Sequence, residues 1–408
     1  MSHIVHVTCL TDNFPDGQKI TGARVRYDRP IDGRWASPAA FWVKDHVITG
    51  MTVEGDIVTL SLDINQPAAS LIPAGGPPRP TGPKPPAPPT GPRPGPGGPP
   101  RNMPAAVRMP CVVEVAQIAD IKAMDGTIFP PMADAIASTD SVEPIVCEFQ
   151  QFEYEGIPYN LYVPKEYDGT NQLPLVMFIH DAGPCGPDPK ITLSQGSGAI
   201  SFASPEWQAE HPCFVLAPQI DRKVHLTNDG FQASEELFTI KALLDDVVER
   251  YNVDKKRIYT TGQSMGCMAS CELNIRYPDY FAASLLVAGQ WSPERMAEKC
   301  TGCRFWILVS EHDAKAFPGM NAVTEALEGA GVKIGRYWWD AKDGPEKLTE
   351  QAHEAMKDDV QVRYTVFHGS SVVPAHKTDN PGTNHVSTWN VVYPIKGLRE
   401  WLFSCVKN

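Results

Sequence analysis

The stretch that decides the fold is Arg257-Ile-Tyr-Thr-Thr-Gly-Gln-Ser264-Met-Gly-Cys-Met-Ala-Ser-Cys271. An apolar, β-branched run leads into the pattern G-x-S-x-G, and residues compatible with a helix follow it. This order predicts a strand, a sharp turn and a helix, with Ser264 exposed on the turn. Only small residues fit beside such a turn, which accounts for Gly262 and Gly266. The pattern therefore predicts a nucleophilic serine at the start of a helix.

The surrounding sequence predicts a parallel sheet covered by helices. Leu173–His180 and Cys213–Ala217 are continuous apolar runs, which is typical of strands buried on both faces. Apolar residues between Leu237 and Tyr251 recur every three or four positions, as in an amphipathic helix. Further strands are predicted at Arg257–Thr261, Ala282–Ala288, Arg304–Ser310 and Val362–Phe367. Strands that alternate with helices indicate an α/β fold with a mostly parallel sheet and helices on both faces.

A serine hydroxyl needs a base to become a good nucleophile, and in the α/β-hydrolase arrangement the chain order is Ser, then an acid, then His. The apolar run Phe305–Ser310 ends in Glu311-His-Asp313. Acids that directly follow a late strand are well placed to orient a histidine. We expect Asp313 to be the acid, with Glu311 as the alternative.

Four histidines follow Asp313 in the chain, namely His353, His368, His376 and His385. His385 lies in a predicted loop just before a predicted terminal helix, Ser387–Phe403. The base of this fold occupies such a loop. We therefore expect His385 to be the base, with His376, on the loop after a strand, as the alternative; His353 is expected at the surface.

Negative charge that develops on a substrate oxygen requires N–H donors in an oxyanion hole. One donor should be the backbone N–H of Met265, which follows the serine. The second should come from the loop Ile179-His-Asp-Ala-Gly183. Asp181 and Ala182 are both candidates, and His180 is expected to have a structural role.

The first 147 residues have a different pattern. Short alternating runs such as Gly22–Tyr27 and Asp56–Leu62 predict strands, and Cys111–Ala116 and Ile145–Phe149 resume that pattern later. Between them, the segment 73–104 contains 15 of the chain's 39 prolines. It predicts a solvated loop or spacer inside a small β-sandwich domain, with a PxxP ligand as the less favoured alternative. The predicted domains are thus 1–147 and 148–408.

Composition excludes several classes of protein. The chain of 408 residues has a formal net charge of −12 and no cluster of basic residues, which argues against nucleic-acid binding. No apolar segment approaches the ~20 residues that a membrane-spanning helix needs, so we expect no membrane partner. Ten scattered cysteines, including the isolated pair Cys300 and Cys303, favour a reducing compartment and no metal site. The expected location is cytoplasmic, or secreted if a signal peptide has been removed.

The chain resembles α/β-hydrolase esterases that carry an N-terminal immunoglobulin-like domain, near the polyhydroxyalkanoate-depolymerase and feruloyl-esterase branch. The resemblance extends over most of 150–408 and, more weakly, over 4–72 and 105–150. The matching segments are Pro158–Pro164, Pro174–Gly183, Gln195–Ala199, Tyr259–Gly266, Phe281–Trp291, Asp313–Met320 and His385–Trp389. Cys267 and His312 stand where the family usually has glycine.

The resemblance implies a serine carboxylesterase in which Ser264, Asp313 and His385 act as nucleophile, acid and base, with no cofactor. It implies short-chain, aromatic (feruloyl-like) or polyester substrates, either small molecules or polymers. Gln263, Gln195 and Trp291 lie in matching segments and are expected to bind substrate, although core packing is an equal alternative for Trp291. A serine peptidase of the prolyl-oligopeptidase type and a non-catalytic binding protein are the alternative functions. The β domain could also mediate a homo-oligomer.

Overall fold

The computed structural model describes residues 3–73, 105–132, 134–221 and 225–407. The predicted proline-rich loop, apart from Pro73, lies outside these residues. Within the described chain there are two compact units, one containing 3–73 and Val107–Cys147, the other containing Glu148 onward. None of the described helices combines the length and the apolar character needed to cross a membrane.

The first unit is built from two small antiparallel layers. A five-stranded sheet has the order β10-β1-β2-β5-β4, and a three-stranded sheet has the order β3-β6-β9. Strands β7 and β8 form a separate hairpin, and among the described strands of this unit only the β1–β10 pair is parallel. The strands are β1 (Ile4–Phe14), β2 (Gly17–Tyr27), β3 (Phe41–Val43), β4 (Ile48–Glu54), β5 (Ile57–Leu62), β6 (Glu114–Gln117), β7 (Ile121–Lys122), β8 (Ile128–Phe129), β9 (Ile136–Ala137) and β10 (Asp140–Val142).

The alternating sequence of these strands places one apolar row on the inside of each layer. Val7, Val25 and Leu60 of the larger sheet share one core with Phe41 and Val115 of the smaller sheet. Two sheets that pack face to face on a common core form a sandwich.

The strand predicted at Ile145–Phe149 is wrong. Val146–Glu148 form a short 3₁₀ turn, and Ile145 has a φ of 65°. Pro144 explains part of this difference, because proline cannot donate to a sheet ladder. The apolar residues there are buried by a turn, which an alternating pattern over five residues cannot distinguish from a strand.

The second unit contains a nine-stranded sheet in the order β11-β12-β14-β13-β15-β16-β17-β19-β18. The pairs β11–β12 and β12–β14 are antiparallel, and the remaining pairs are parallel. The strands are β11 (Gln150–Tyr154), β12 (Ile157–Tyr162), β13 (Leu175–Ile179), β14 (Phe214–Pro218), β15 (Ile258–Gln263), β16 (Ala283–Val287), β17 (Phe305–Ser310), β18 (Ile334–Trp339) and β19 (Val362–Phe367). The predicted mostly parallel α/β sheet is confirmed.

Helices cover this sheet and bury its apolar strands. The helices are α1 (Lys190–Ser194), α2 (Ser197–Ile200), α3 (Pro205–Glu210), α4 (Glu235–Arg250), α5 (Met265–Arg276), α6 (Pro293–Lys299), α7 (Ala316–Gly329), α8 (Gly344–Met356), α9 (Pro381–Val392) and α10 (Lys396–Ser404). The central strands β13, β15, β16 and β17 are buried along their whole length. This explains why their sequences are continuously apolar rather than alternating.

The end of the chain differs from the prediction. We expected a loop containing His385 and then a single helix at Ser387–Phe403. Two helices are present, α9 and α10, and His385 lies within α9. Asn380 caps α9 by accepting a hydrogen bond from the Thr383 N–H, and Pro381 occupies the first turn, where its missing donor costs nothing. Pro394 separates the two helices, because proline cannot continue a helix.

Candidate active site

Ser264 lies on a strained turn between β15 and α5. Its backbone has a φ of 50° and a ψ of −114°, which is rare for a residue with a side chain. Such a conformation costs about 1–3 kcal/mol and persists only where neighbouring contacts hold it. One of those contacts is the Ser264 N–H, which donates to the Val287 carbonyl at 3.0 Å. The turn presents the hydroxyl beyond the carboxyl end of the sheet.

The glycines on either side of the serine are required by close backbone approach. A Cβ atom on Gly266 would lie 1.8 Å from the carbonyl oxygen of Ile179, and one on Gly262 would lie 2.5 Å from the backbone of Gly266. Both distances are far shorter than van der Waals contact. The G-x-S-x-G spacing therefore follows from how tightly α5 crosses the ends of β13 and β15.

Ser264, His385 and Asp313 form a continuous chain of hydrogen bonds. The Ser264 Oγ lies 2.9 Å from the His385 Nε2, and the His385 Nδ1 lies 2.5 Å from the Asp313 Oδ2. The three residues come from α5's leading turn, from α9 and from the loop after β17. The structure thus brings together the three side chains that the sequence had separated by up to 121 positions.

The environment of Asp313 keeps its carboxylate charged. Burial, which leaves the residue 3% exposed, acts to raise the pKa. The hydrogen bond to His385 and the backbone N–H groups of Lys315 and Ala316, each 3.0 Å from Oδ1, outweigh it and lower the pKa below its usual range. An ionised carboxylate at this position accepts from Nδ1 and so leaves Nε2 facing the serine as an acceptor.

Helix α9 holds the histidine in place. Asn384, fully buried beside it, accepts a hydrogen bond from the Ser310 hydroxyl at 2.9 Å and donates to Asp379 at 2.8 Å. The rings of His385 and Trp389 also pack nearly perpendicular to each other, with their centroids 5.2 Å apart. A histidine on a helix with these anchors has less freedom than one on a loop.

The alternative acid and base lie elsewhere. Glu311 accepts a hydrogen bond from the Gly369 N–H at 2.6 Å, and so it shapes the neighbouring turn. His376 is exposed and is not among the residues that line the cavity beside Ser264. His353 is on α8 and contacts Glu400.

His180 fixes the loop that follows β13. It is fully buried, and burial lowers its pKa. The Ile220 N–H donates to its Nε2 at 2.9 Å, so the proton of the neutral ring is on Nδ1, which donates to the Asp181 carbonyl at 2.6 Å. Both nitrogens are therefore engaged in holding backbone, in agreement with a structural role.

The predicted oxyanion residues border the serine from two directions. Met265 is the first residue of α5, and the first N–H groups of a helix have no partner within it. On the other side, Gln263 Nε2 donates to Asp181 Oδ1 at 2.9 Å and lies 3.2 Å from Gln195 Oε1. Asp181 in turn accepts from the Gly183 N–H, which folds the segment containing Ala182. Gln263 and Gln195 thus support the loop and are not among the residues that line the cavity beside Ser264.

A cavity of about 370 Å³ opens beside the serine. Much of its wall is small or apolar, and it includes Ser264, Asp313 and His385. The apolar part consists of Met268, Ala288, Gly289, Ala314, Ala316, Pro381 and Gly382. The polar part is a linked group that sequence reasoning missed, in which Asp229 accepts from Gln290 at 2.9 Å and pairs with Lys315 at 2.5 Å. These three residues are far apart in the chain and have no shared motif.

Trp291 does not line this cavity. Its side chain is fully buried in the core, and its Nε1 donates to Glu272 Oε2 at 3.1 Å. Of the two roles predicted for Trp291, the structure supports core packing. The expected contact with substrate has no support in this position, because the indole is buried and donates to a residue of α5.

No two of the described cysteines form a disulfide, and Cys300 and Cys303 are buried in the same core as Trp291. Among the described residues, Glu210, His211 and Glu400 come close enough to share a metal ion. The ammonium of Lys396 already lies 2.6 Å from Glu210 in that group. No hydrogen bond among the described residues joins any of these side chains directly to Ser264.

Comparison with known proteins agrees with this architecture. Residues 6–130 match the family model of the esterase Ig-like N-terminal domain. The crystal structure of a thermostable esterase superposes with a TM-score of 0.76 at 24% sequence identity, covering 99% of this chain and 100% of that one. The protein therefore has an α/β-hydrolase fold preceded by an immunoglobulin-like domain of the esterase type, and the predicted fold class is confirmed.

Two curated proteins are similar in sequence to part of the chain. Poly(3-hydroxyalkanoate) depolymerase C of Paucimonas lemoignei is 24% identical over 229 residues, or 52% of this chain and 48% of that protein. Acetylxylan esterase A of Aspergillus ficuum is 26% identical over 168 residues, or 40% of this chain and 52% of that protein. The chain thus spans about half the length of each. The resemblance to esterases of this branch is confirmed.

Proposed function

We propose that this protein is a serine carboxylic-ester hydrolase. The observation that carries the proposal is the hydrogen-bond chain from Ser264 through His385 to Asp313, on a turn strained in the manner of a nucleophile elbow. The esterases found by comparison support the same class of reaction. The proposed reaction uses side chains, backbone groups and water.

In the first step, the Ser264 Oγ attacks the ester carbonyl carbon while His385 Nε2 takes the hydroxyl proton. The carbonyl π electrons move to oxygen, which becomes the oxyanion of a tetrahedral intermediate. The ionised Asp313 stabilises the imidazolium that forms and keeps its ring oriented. Collapse of the intermediate breaks the bond to the alcohol oxygen, which receives the proton from His385, and the acyl group remains on Ser264.

In the second step, water replaces the alcohol. His385 takes a proton from water, the hydroxide attacks the acyl carbon, and Ser264 leaves with the proton returned by His385. In both steps we assign the oxyanion to the N–H of Met265 and a donor from Asp181–Ala182. The loss of one such donor typically costs about 10²–10³ in rate.

The cavity favours compact acyl or alcohol groups. A volume of about 370 Å³ with small apolar walls accommodates a short-chain or single-ring group beside Ser264. A polymer could present one ester bond there while the rest of its chain lies outside. Short-chain, aromatic and polyester substrates therefore remain the proposed range, and hydrolysis of a graded panel from acetate to longer acyl chains and ferulate would rank them.

The decisive experiment is turnover of p-nitrophenyl acetate by the Ser264→Ala variant. We expect loss of about 10⁴-fold or more in kcat, because no nucleophile remains. Ser404→Ala is the matched control, since Ser404 is an exposed serine at the end of α10. Turnover by a folded Ser264→Ala variant at the rate of the unmodified protein would disprove the proposal.

The unmodified protein and the Ser264→Ala variant also distinguish the proposed function from the two alternatives. A serine peptidase would cleave peptide amides with an efficiency comparable to that for esters, whereas we expect a strong preference for esters. A non-catalytic binding protein would not react with a fluorophosphonate, whereas we expect covalent labelling at Ser264 that the alanine variant lacks.

A further inference from the structure

A second cavity is larger than the one beside Ser264, and its lining includes none of the residues of the proposed reaction. Its volume is about 640 Å³. The charged residues of its wall lie on the second half of α5 and on α6. The loop that contains Asn228 and Phe231 forms another side of the cavity. Glu272 lies eight residues beyond Ser264 on the same helix axis, roughly 12 Å at 1.5 Å per residue. A ligand there would be distinct from a group bound at the serine.

The centre of the charged wall is a buried carboxylate with two arginines. Glu272 is 1% exposed, and its Oε1 accepts from Arg276 Nε at 3.0 Å and from Arg295 Nη2 at 2.8 Å. Its Oε2 accepts from the Trp291 indole at 3.1 Å. Three donors therefore already converge on this one carboxylate, which has about four acceptor positions.

The two guanidinium groups retain an excess of both charge and donors. Together they carry two positive charges against one negative charge, and ten N–H donors against about four acceptor positions on Glu272. The Arg295 Nη1 also reaches the Phe231 carbonyl at 3.4 Å. Among the charged side chains that line the cavity, the sum is thus one net positive charge. A concave wall of low dielectric concentrates the field of that charge.

The remaining wall adds polar groups on a constrained backbone. Asn228 Oδ1 accepts from the N–H groups of Gly230 and Gln232, and Phe231 is held at a φ of 59°. Ser234, at the start of α4, makes no capping bond, and its hydroxyl has no hydrogen-bond partner among the described residues. This hydroxyl can donate or accept a further hydrogen bond at the cavity wall.

We propose that this cavity is a binding site for a small oxyanion, a carboxylate or phosphate group, held chiefly by Arg276 and Arg295. Guanidinium groups bind such oxygens through paired N–H donors, which explains why arginines rather than lysines line the wall. The assignment does not depend on the ester hydrolysis proposed above, because no residue of that machinery takes part.

The test is calorimetric titration of the full chain with sodium succinate and, separately, with sodium phosphate, at constant ionic strength. We expect saturable binding that weakens at least about tenfold in Arg276→Gln and in Arg295→Gln, since each removes a charged, paired contact. Lys299→Gln is the matched control, because it removes one positive charge from the same helix α6 without touching the cavity. The two probes distinguish a planar carboxylate from a tetrahedral phosphate.

Binding that is unchanged in both arginine variants, or no saturable binding of either probe to the unmodified protein, would overturn the proposal. Arg295→Gln weakens the pairing of a buried carboxylate and could unfold the protein. Arg276 has a side chain that is 56% exposed, so Arg276→Gln gives the result in that case. Ester turnover in each variant reports that the catalytic unit is folded, and calorimetry reports the anion site separately.

Discussion

Gln263 Nε2 donates a hydrogen bond to Asp181 Oδ1 at 2.9 Å, which ties the residue before the serine to the loop after β13. The two residues are 82 positions apart and lie at the ends of neighbouring parallel strands. This bond joins the two backbone segments to which we assign the oxyanion donors. The spacing between those donors therefore depends on an amide side chain that does not itself line the cavity.

Removal of this tie should slow the reaction without abolishing binding. In Gln263→Ala we expect kcat to fall by about 10–100-fold with a smaller change in KM, because a displaced oxyanion donor acts mainly in the transition state. Steady-state kinetics on p-nitrophenyl acetate would measure this. Gln172→Ala is the control, since this exposed glutamine bonds to Asn252 and not to the loop after β13. Equal kcat in Gln263→Ala and the unmodified protein would contradict the role.

The choice between the two acids after β17 can be tested directly. Asp313→Asn should lower kcat by about 10⁴, because an amide cannot hold the His385 tautomer that accepts the serine proton. Glu311→Gln should keep most of the activity, since Glu311 bonds to the Gly369 backbone. The reverse ranking of these two variants would reassign the acid.

The close packing of α5 against β13 should be important for the stability of the fold. Gly266→Ala should lower the free energy of unfolding by about 2 kcal/mol or more, because its Cβ would collide with the Ile179 carbonyl and the backbone would have to move. Gly302→Ala is the control, as a Cβ atom there would have no neighbour within 4 Å. Urea denaturation would compare them. A Gly266→Ala variant as stable as Gly302→Ala would show that the turn is less tightly packed than described.

The buried side chain of His180 should make the free energy of unfolding depend on pH. Burial lowers its pKa in the folded state, so the unfolded chain binds a proton first as the pH falls below about 6.5. The corresponding stability is therefore present above that value and is lost as the pH decreases toward the lower, folded-state pKa. The drop in unfolding free energy between about pH 7.5 and pH 5.5 should be smaller in His180→Gln.

The control for this pH effect is His376→Gln, which makes the same change at an exposed histidine. Glutamine at position 180 can still bond to one of the two backbone groups, which limits the overall loss of stability. An identical pH dependence in all three proteins would exclude His180 as the source.

Much of the second unit was predictable because its signals are local. Continuous apolar runs mark strands buried on both faces, and the glycines of the serine turn mark a backbone that tolerates no Cβ. Asp313 and His385 were predicted from their order in the chain and their positions after a strand and near the end. Their distances from each other agree with the proposed roles, although their spacing in the sequence carries no such information.

The structure differs from the predictions where contacts between distant residues determine the local conformation. Nothing in the residues around Trp291 shows that Glu272 would turn the indole inward, and the turn at Val146–Glu148 has the composition of a strand. The placement of His385 on a helix was detectable in principle, because Asn380-Pro381 is a typical helix start. The group of Asp229, Gln290 and Lys315 depends on three separate loops, and no local pattern predicts it.

Asp313 accepts hydrogen bonds from the first N–H groups of α7 as well as from His385, so one carboxylate serves two purposes. A substitution that disables it should also loosen the beginning of a 14-residue helix. An inactive variant made by substituting Asp313 would therefore be a poor choice for trapping a bound substrate. The serine variant leaves that scaffold untouched, and it is the better choice for crystallising a complex.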